Sequence, residues 1–173
     1  MQEIINFDRA AEKYYTKLRI NPLPLLSWDI FGQHYQKISA FFNDLADFSV
    51  IAKHSNWKTH SEIKKALLEK DQIVIVTDPE LNIVKASHNI FHMNGYSQEE
   101  IIGQKPKIFQ GPDTCKETTQ YISKAIQQQK SFETTVLNYR KDGSAYKCWI
   151  KGEPVFNKKG KVVHFIAYEK EVA

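Results

Sequence analysis

Two polar, glycine-bearing turns divide residues 132–171 into three runs, and no other feature constrains the fold as much. Lys141-Asp142-Gly143 separates Phe132–Arg140 from Ser144–Val155, and Asn157-Lys158-Lys159-Gly160 separates that run from Lys161–Glu171. Asp or Asn followed closely by Gly supplies the positive backbone angles that tight hairpins need, so these segments predict three consecutive antiparallel strands. Upstream, Gln72–Thr77 is a compact β-branched run, followed by Asp78-Pro79-Glu80 and then Ile83–Ala86. That pattern predicts two short strands joined by a proline-containing turn. Between the two strand groups, residues 88–102 carry a helical pattern. Ser97 and Glu100 form a capping-box pair ahead of Ile101-Ile102, with Gly103 as the stop. A further helix is expected from about Lys116 to Gln129, capped by Thr114 or Asp113. The order of two strands, short helices and three strands predicts an α+β fold with a five-stranded antiparallel sheet.

Residues 1–70 have a different character. Ile4, Ile5, Phe7, Ala11, Tyr14, Tyr15 and Leu18 recur at three- and four-residue spacing, which predicts an amphipathic helix over about 3–18. Asn21-Pro22-Leu23-Pro24 ends it, because proline lacks an N–H and restricts the residue before it. A second helix is expected from Ser27 as N-cap, with an aromatic-rich stripe of Trp28, Phe31, Tyr35, Ile38, Phe41, Phe42, Leu45 and Phe48. A third, short helix follows Thr59–Ser61 and carries Ile63, Ala66, Leu67 and Leu68. The domain division expected is therefore 1–70, a helical extension, and 71–173, the α+β domain.

Composition removes several function classes. Of 173 residues, 42% are hydrophobic and 25% charged, ordinary values for a folded domain. The net charge of +4 comes from mixed charges, and Lys158, Lys159 and Lys161 are better read as a solvated hairpin tip than as a nucleic-acid stripe. Aliphatic runs such as Ile73-Val74-Ile75-Val76 fall far short of the ~20 apolar residues of a membrane helix. No secretory signal is visible at the N-terminus. Cys115 and Cys148 fit no metal or redox spacing, so a reduced, cytoplasmic setting is expected. There is no Gly-x-Ser-x-Gly elbow, phosphate loop or His-Glu-x-x-His, and an enzyme is not expected.

Several motifs in order resemble a PAS domain, the sensor module of bacterial signalling proteins. They are Ile75-Val76-Thr77-Asp78, Asn89–Phe91, Gly95-Tyr96-Ser97-Gln98-Glu99-Glu100-Ile101-Ile102-Gly103, Asn138-Tyr139-Arg140-Lys141-Asp142-Gly143, and Pro154-Val155 ahead of Gly160. The resemblance covers about 71–171 and implies a five-stranded sheet against short helices with a ligand cavity between them. Within PAS domains the sequence is similar to the flavin-binding LOV subgroup. Gly103-Gln104-Lys105-Pro106-Lys107-Ile108-Phe109-Gln110-Gly111 falls on the run that carries that subgroup's photoreactive cysteine, and Phe109–Thr114 matches its ending. The cysteine position holds Pro106, which implies that no flavin–cysteine adduct forms.

The other positions implied by the resemblance are mixed. Gln110 keeps the subgroup's glutamine contact and Asn138 its first flavin-facing asparagine. Cys148 stands at the second asparagine, Glu169 at the glutamine facing the reactive edge of the flavin, Lys107 at one phosphate-contacting arginine and Ser123 at another. Lysine can hold phosphate as a point charge without arginine's bidentate fork. Gln110 can equally be a loop-capping amide, and Asn138 a strand-face polar group beside a buried water. Strand alternation puts Val136 and Thr134 with Asn138, Tyr146 and Ile150 with Cys148, and Ala167, Phe165 and Val163 with Glu169. Glu169 is expected past the sheet edge in solvent, where glutamates usually lie. The alternative is a buried carboxyl at the pocket mouth that pairs with a ligand or titrates near neutral pH.

Haem is not expected, because Cys115–Ile122 holds no histidine and the aligned position is Thr118. His88 and His92, an i, i+4 pair without a third ligand, are read as ordinary histidines, and Cys115 as an unreactive thiol. Two functions remain open: a sensor holding a flavin or another small ligand, or a ligand-free protein-interaction module. Either way, residues 1–68 are expected to cap the sheet or build a homodimer, with a self-contained helical hairpin as the alternative. The chain ends soon after the last predicted strand, so output is expected through a separate signalling protein.

Overall fold

The computed structural model describes residues 26–58, 61–69 and 71–173. The helix expected over 3–18 and the proline stop after it lie outside those residues. Helix α1 runs Leu26–His54, so Ser27 lies within it rather than capping it. Helix α2 is Ser61–Leu68. Strands β1 (Ile73–Thr77) and β2 (Ile83–Ala86) follow. Helices α3 (Ile90–Asn94) and α4 (Gln98–Ile101) come next, then a 3₁₀ turn at Pro106–Phe109 and helix α5 (Lys116–Gln127). Strands β3 (Phe132–Tyr139), β4 (Ala145–Phe156) and β5 (Val162–Val172) close the fold. All neighbours are antiparallel in the order β2-β1-β5-β4-β3, the expected five-stranded sheet. No described helix is long and apolar enough to cross a membrane.

The turns form for the predicted reasons. Gly143 and Gly160 take φ of 86° and 78°. Asp142 Oδ1 accepts from Ser144 N and Oγ, and Asn157 Oδ1 accepts from Lys159 N and Lys161 N at 2.9 and 3.0 Å. The helix expected over 88–102 is broken, because Gly95 ends α3 at φ 77° in the left-handed region. Ser97 N donates to Glu100 Oε2 at 2.9 Å, and the capping box then starts α4. Helix α5 is capped by Cys115 rather than by Thr114 or Asp113. Thr114 is engaged elsewhere, as shown below.

Residues 39–173 form one compact unit, and residues 26–38 belong to another, of which the helix alone is described. Within the larger unit the sheet is covered on both faces. On the outer face Phe48, Ala52 and Trp57, with Ile63 and Ala66 of α2, pack on Val74, Val76, Val155, Ile166 and Tyr168. On the inner face Ile73 and Ile75 join Ile83, Ile90, Met93, Ile101, Phe109, Tyr146 and Cys148. Strand β1 is therefore buried on both sides, which is why its sequence is continuously aliphatic rather than alternating. Along α1 the described stripe residues differ in exposure. Phe48 is 2% exposed, whereas Phe42 is 59% exposed and Tyr35 and Ile38 also face solvent. Val163, expected with the inner set, packs with the outer cluster. The cause is a register shift in which Val155 pairs His164 but Phe156 pairs Val162, so one residue of β5 is skipped.

Polar contacts fix this cap. Asp44 of α1, 2% exposed, accepts from His88 N and His88 Nδ1, each at 2.7 Å, and from Gln98 Nε2 at 3.4 Å. Lys85 lies 3.5 Å from Asp44 and 2.6 Å from Asp47. His88 precedes α3 and faces Asp44, so it does not share a helix face with His92. Trp57 Nε1 donates to His164 Nδ1 at 3.0 Å inside the outer cluster. Burial lowers the His164 pKa, which keeps that nitrogen an acceptor.

Two outcomes follow from this packing. Phe48→Ala should cost about 3–5 kcal/mol in urea unfolding, the range for a buried Phe truncation. Trp57→Phe leaves His164 Nδ1 without its donor and should cost about 1–3 kcal/mol. His164's contribution is whole above its ordinary value of 6.5 and is lost as pH falls below it. Unfolding midpoints measured through that window should show the acid loss in wild type.

Candidate functional site

The segment from Pro106 to Thr114 builds one wall of the site, and each residue type has a use there. Pro106 opens the 3₁₀ turn, where its missing N–H costs nothing. Phe109 is buried in the inner cluster and meets Tyr96 edge-on, ring centres 5.8 Å apart. Gly111 lies under the Tyr139 ring, and a Cβ there would come within 2.3 Å of the ring carbons. Tyr139 Oη donates to Asp113 Oδ2 at 2.7 Å and accepts from Asp113 N at 3.1 Å. Thr114 Oγ1 accepts from Gly111 N at 3.0 Å and donates to Leu137 O at 2.7 Å. Strand β3 thus clamps the segment and sets Lys107 and Gln110 beside the sheet.

Between that segment, α5 and the inner sheet face lies a cavity of about 930 Å³. Its walls include Ile75 and Thr77 of β1, Thr119, Ile122, Ser123 and Ile126 of α5, and Ile150 and Gly152 of β4. Phe165, Ala167 and Glu169 of β5 and the loop residues Glu80, Lys105, Pro106, Lys107 and Gln110 also line it. Gly152 gives room for the Phe132 ring, whose Cζ would stand 2.2 Å from an added Cβ. Apolar side chains supply most of the cavity surface, and polar ones including Glu80, Gln120 and Gln127 also line it, a make-up that suits a small-molecule site.

Of the five residues expected at the site, Lys107, Gln110 and Glu169 line the cavity. Asn138 and Cys148 are buried but are not among its lining residues. Asn138 pairs with Tyr146 across β3 and β4, and Cys148 packs in the inner cluster beside Phe109 and Met93. Ser123 also lines the cavity, and the exposed Lys105, Lys107 and Lys161 put cations around it.

Glu169 overturns the expectation of a solvent position past the sheet edge. It pairs with Ile73 on β1 and Ile150 on β4, inside the sheet, and is 2% exposed. Among the described residues its hydrogen-bond partner is the Cys148 thiol, whose Sγ donates to Oε2 at 3.7 Å. Burial raises the Glu169 pKa from 4.5 to about 7, with the thiol pulling weakly the other way. Burial first, and Glu169 second, push both the Cys148 thiol and the Tyr146 hydroxyl upward. Sequence reasoning missed Thr77. Its hydroxyl is buried on the cavity wall with no hydrogen-bond partner among the described residues. The available signal was a lone polar side chain ending the run Ile73–Thr77.

A carboxyl whose folded pKa is raised costs nothing below its ordinary value and destabilises progressively as pH rises towards the folded one. Wild type should therefore lose about 3 kcal/mol relative to Glu169→Gln between pH 4.5 and pH 8, a shift from 4.5 to about 7 converted at 1.36 kcal/mol per unit. Urea unfolding of both proteins across that range checks it. Parallel pH curves would contradict the buried, uncompensated carboxyl.

Comparison with known proteins agrees with this geometry. The sequence pattern of the PAS domain family matches residues 70–172. Protein TWIN LOV 1 of Arabidopsis thaliana is 36% identical over 139 residues, 78% of this chain and 34% of that protein. Phototropin-2 of Oryza sativa subsp. japonica is 35% identical over 119 residues, 67% of this chain and 13% of that protein. The chain thus spans about a third of the first relative and about an eighth of the second. Among solved structures, the dark structure of the blue-light photoreceptor Aureochrome1 LOV superposes with a TM-score of 0.61 at 29% identity, covering 66% of this chain and 85% of that one. From its sheet order, its inner cavity and these matches, the chain belongs to the PAS domain family and is similar within it to LOV domains.

Proposed function

We propose that this chain is a sensory module that binds a planar small molecule of the flavin class in the inner cavity and passes the signal to a partner protein. The observation that carries the reading is the pairing of a roomy aliphatic cavity with two buried polar groups short of partners on its wall, Thr77 Oγ1 and the Glu169 carboxyl. Burying such groups is costly unless something satisfies them. A ligand with polar atoms on a flat apolar body does so, and the residues present fit a flavin in that sense. When bound, a flavin would supply visible-light absorption and redox chemistry.

In this reading Gln110, Glu169 and Thr77 hydrogen-bond the ring system, while Lys107, with Lys105 and Lys161 nearby, holds a phosphate. Asn138 and Cys148 act from behind the wall by fixing Tyr146 and Glu169. No cysteinyl adduct forms. Pro106 offers no nucleophile, Cys115 is exposed at the start of α5, and the Cys148 thiol is engaged with Glu169. The signal route we propose runs through touching groups. Phe109 meets Tyr96, α4 begins two residues on, and Gln98 Nε2 donates to both Ala86 O and Asp44 of α1. Residues 1–70 then serve as the cap and dimerisation region, with the solvent-facing Ile38 and Phe42 of α1 as the surface a homodimer would cover.

The ligand-free interaction module remains the competing reading. It is favoured by Tyr146, Cys148, Phe109 and Met93, which pack part of the inner face without a ligand. Absorbance of the purified protein, followed by mass spectrometry of the molecules released on denaturation, separates the two. A flavin spectrum with released flavin supports the sensor. A colourless protein that releases nothing and binds no added flavin mononucleotide would overturn it. Lys107→Glu should weaken flavin mononucleotide about fivefold, the worth of roughly 1 kcal/mol for an exposed ion pair. It should leave riboflavin, which lacks the phosphate, unchanged; fluorescence titration reads both.

A further inference from the structure

The two underused polar groups mark opposite ends of one wall. Thr77 pairs with Phe165 and Ile73 with Glu169, so four residues of the β1–β5 ladder separate Thr77 from Glu169. At ~3.3 Å per residue that is about 13 Å. Ile75 and Ala167, partners in the same ladder, supply apolar wall between them. The surroundings of Glu169 are those of an acid rather than an anion. Strand β1 presents Ile73 and Ile75, and β5 adds Ala167. Strand β4 presents Ile150, the Cys148 thiol and the Tyr146 phenol. A thiol is a weak donor, and a buried carboxylate needs strong donors or a cation. The cavity's cations, Lys105, Lys107 and Lys161, are exposed to water.

We propose that Glu169 meets the ligand as a neutral carboxylic acid, donating its proton to a ring carbonyl or ring nitrogen, so that the cavity selects an uncharged planar heterocycle and takes up one proton on binding it. The inference rests on the ligand-binding reading of the cavity and adds the chemistry of its inner end. When Glu169 is ionised in the free protein, a proton from solvent joins one carboxylate oxygen as the ligand enters, and the new O–H points at the ligand acceptor. No other bond changes. A cationic amine would instead pair with the ionised carboxylate and bind better as pH rises. With the free carboxyl titrating at about 7, the coupling lies in an accessible range. Above that pH the affinity falls tenfold for each unit.

Riboflavin is the probe, followed by fluorescence quenching with the full chain at pH 6, 7, 8 and 9. Wild type is expected to bind about twofold more weakly at pH 7 than at pH 6, and about tenfold more weakly at pH 9 than at pH 8. Glu169→Gln is expected to bind with one affinity throughout. Adding riboflavin to wild type in weakly buffered solution at pH 8 is expected to consume close to one proton per flavin bound. That arm needs no variant, so it decides the matter even if Glu169→Gln does not fold. Equal wild-type affinity at pH 6 and 9 with no proton uptake overturns the neutral-acid role while leaving the cavity's ligand reading intact. Affinity that rises with pH overturns it in favour of an ionised partner. Riboflavin bound at no pH overturns both readings.

Discussion

Removing both faces of a sheet from water makes its central strands the most heavily buried part of a small domain, and something must fill each side. Here the outer side is filled by the chain itself. Phe48, Ala52 and Trp57 close over Val74, Val76, Ile166 and Tyr168. Burial of this kind, worth about 1.5–3 kcal/mol for each large apolar side chain, is what holds α1 and α2 to the sheet. The inner side is filled only in part. Short helices and the 3₁₀ turn cover Ile73, Ile83 and Tyr146, but the region in front of Ile150, Ala167 and Glu169 stays open as a cavity. The position of the site is therefore a consequence of unequal packing on two faces of one sheet.

Most of the sheet could be read directly from the residues, because glycine turns and β-branched runs are local signals. The strands after Lys141-Asp142-Gly143 and Asn157–Gly160 begin and end within a residue of their expected places. Features that depend on partners distant in sequence were harder. The bulge that turns Val163 outward arises from the pairing with β4, and no residue in β5 announces it. The break at Gly95 carried its signal, a glycine within a helical pattern, but continuing periodicity across it masked two short helices as one. The aromatic stripe on α1 promised burial along its length, yet among its described residues Phe48 packs on the sheet while Phe42 faces solvent.

The site divides in the same way. Lys107 and Gln110 reach the cavity because the segment around them is clamped by Tyr139, and that clamp is encoded in the adjacent Gly111, Asp113 and Thr114. Resemblance could bring Asn138 and Cys148 to the inner face, but not say that Tyr146, Phe109 and Met93 would pack around them. Glu169 shows the limit most clearly. Base rates favour an exposed glutamate, and only the pairing of β5 between β1 and β4 places this one in the interior. Thr77 and Asp44 likewise gain their roles from what lies opposite, a cavity in one case and His88 in the other.

Ligand binding as proposed turns on the state of a single side chain at the inner end of that cavity. Carbon-13 NMR titration of the Glu169 carboxyl in the full chain, assigned by comparison with Glu169→Gln, measures it directly. The predicted midpoint is near pH 7, with the carboxyl protonated at pH 6. A midpoint near the ordinary 4.5 would mean that water or a cation reaches the group, and the buried acid on which the account depends would not exist.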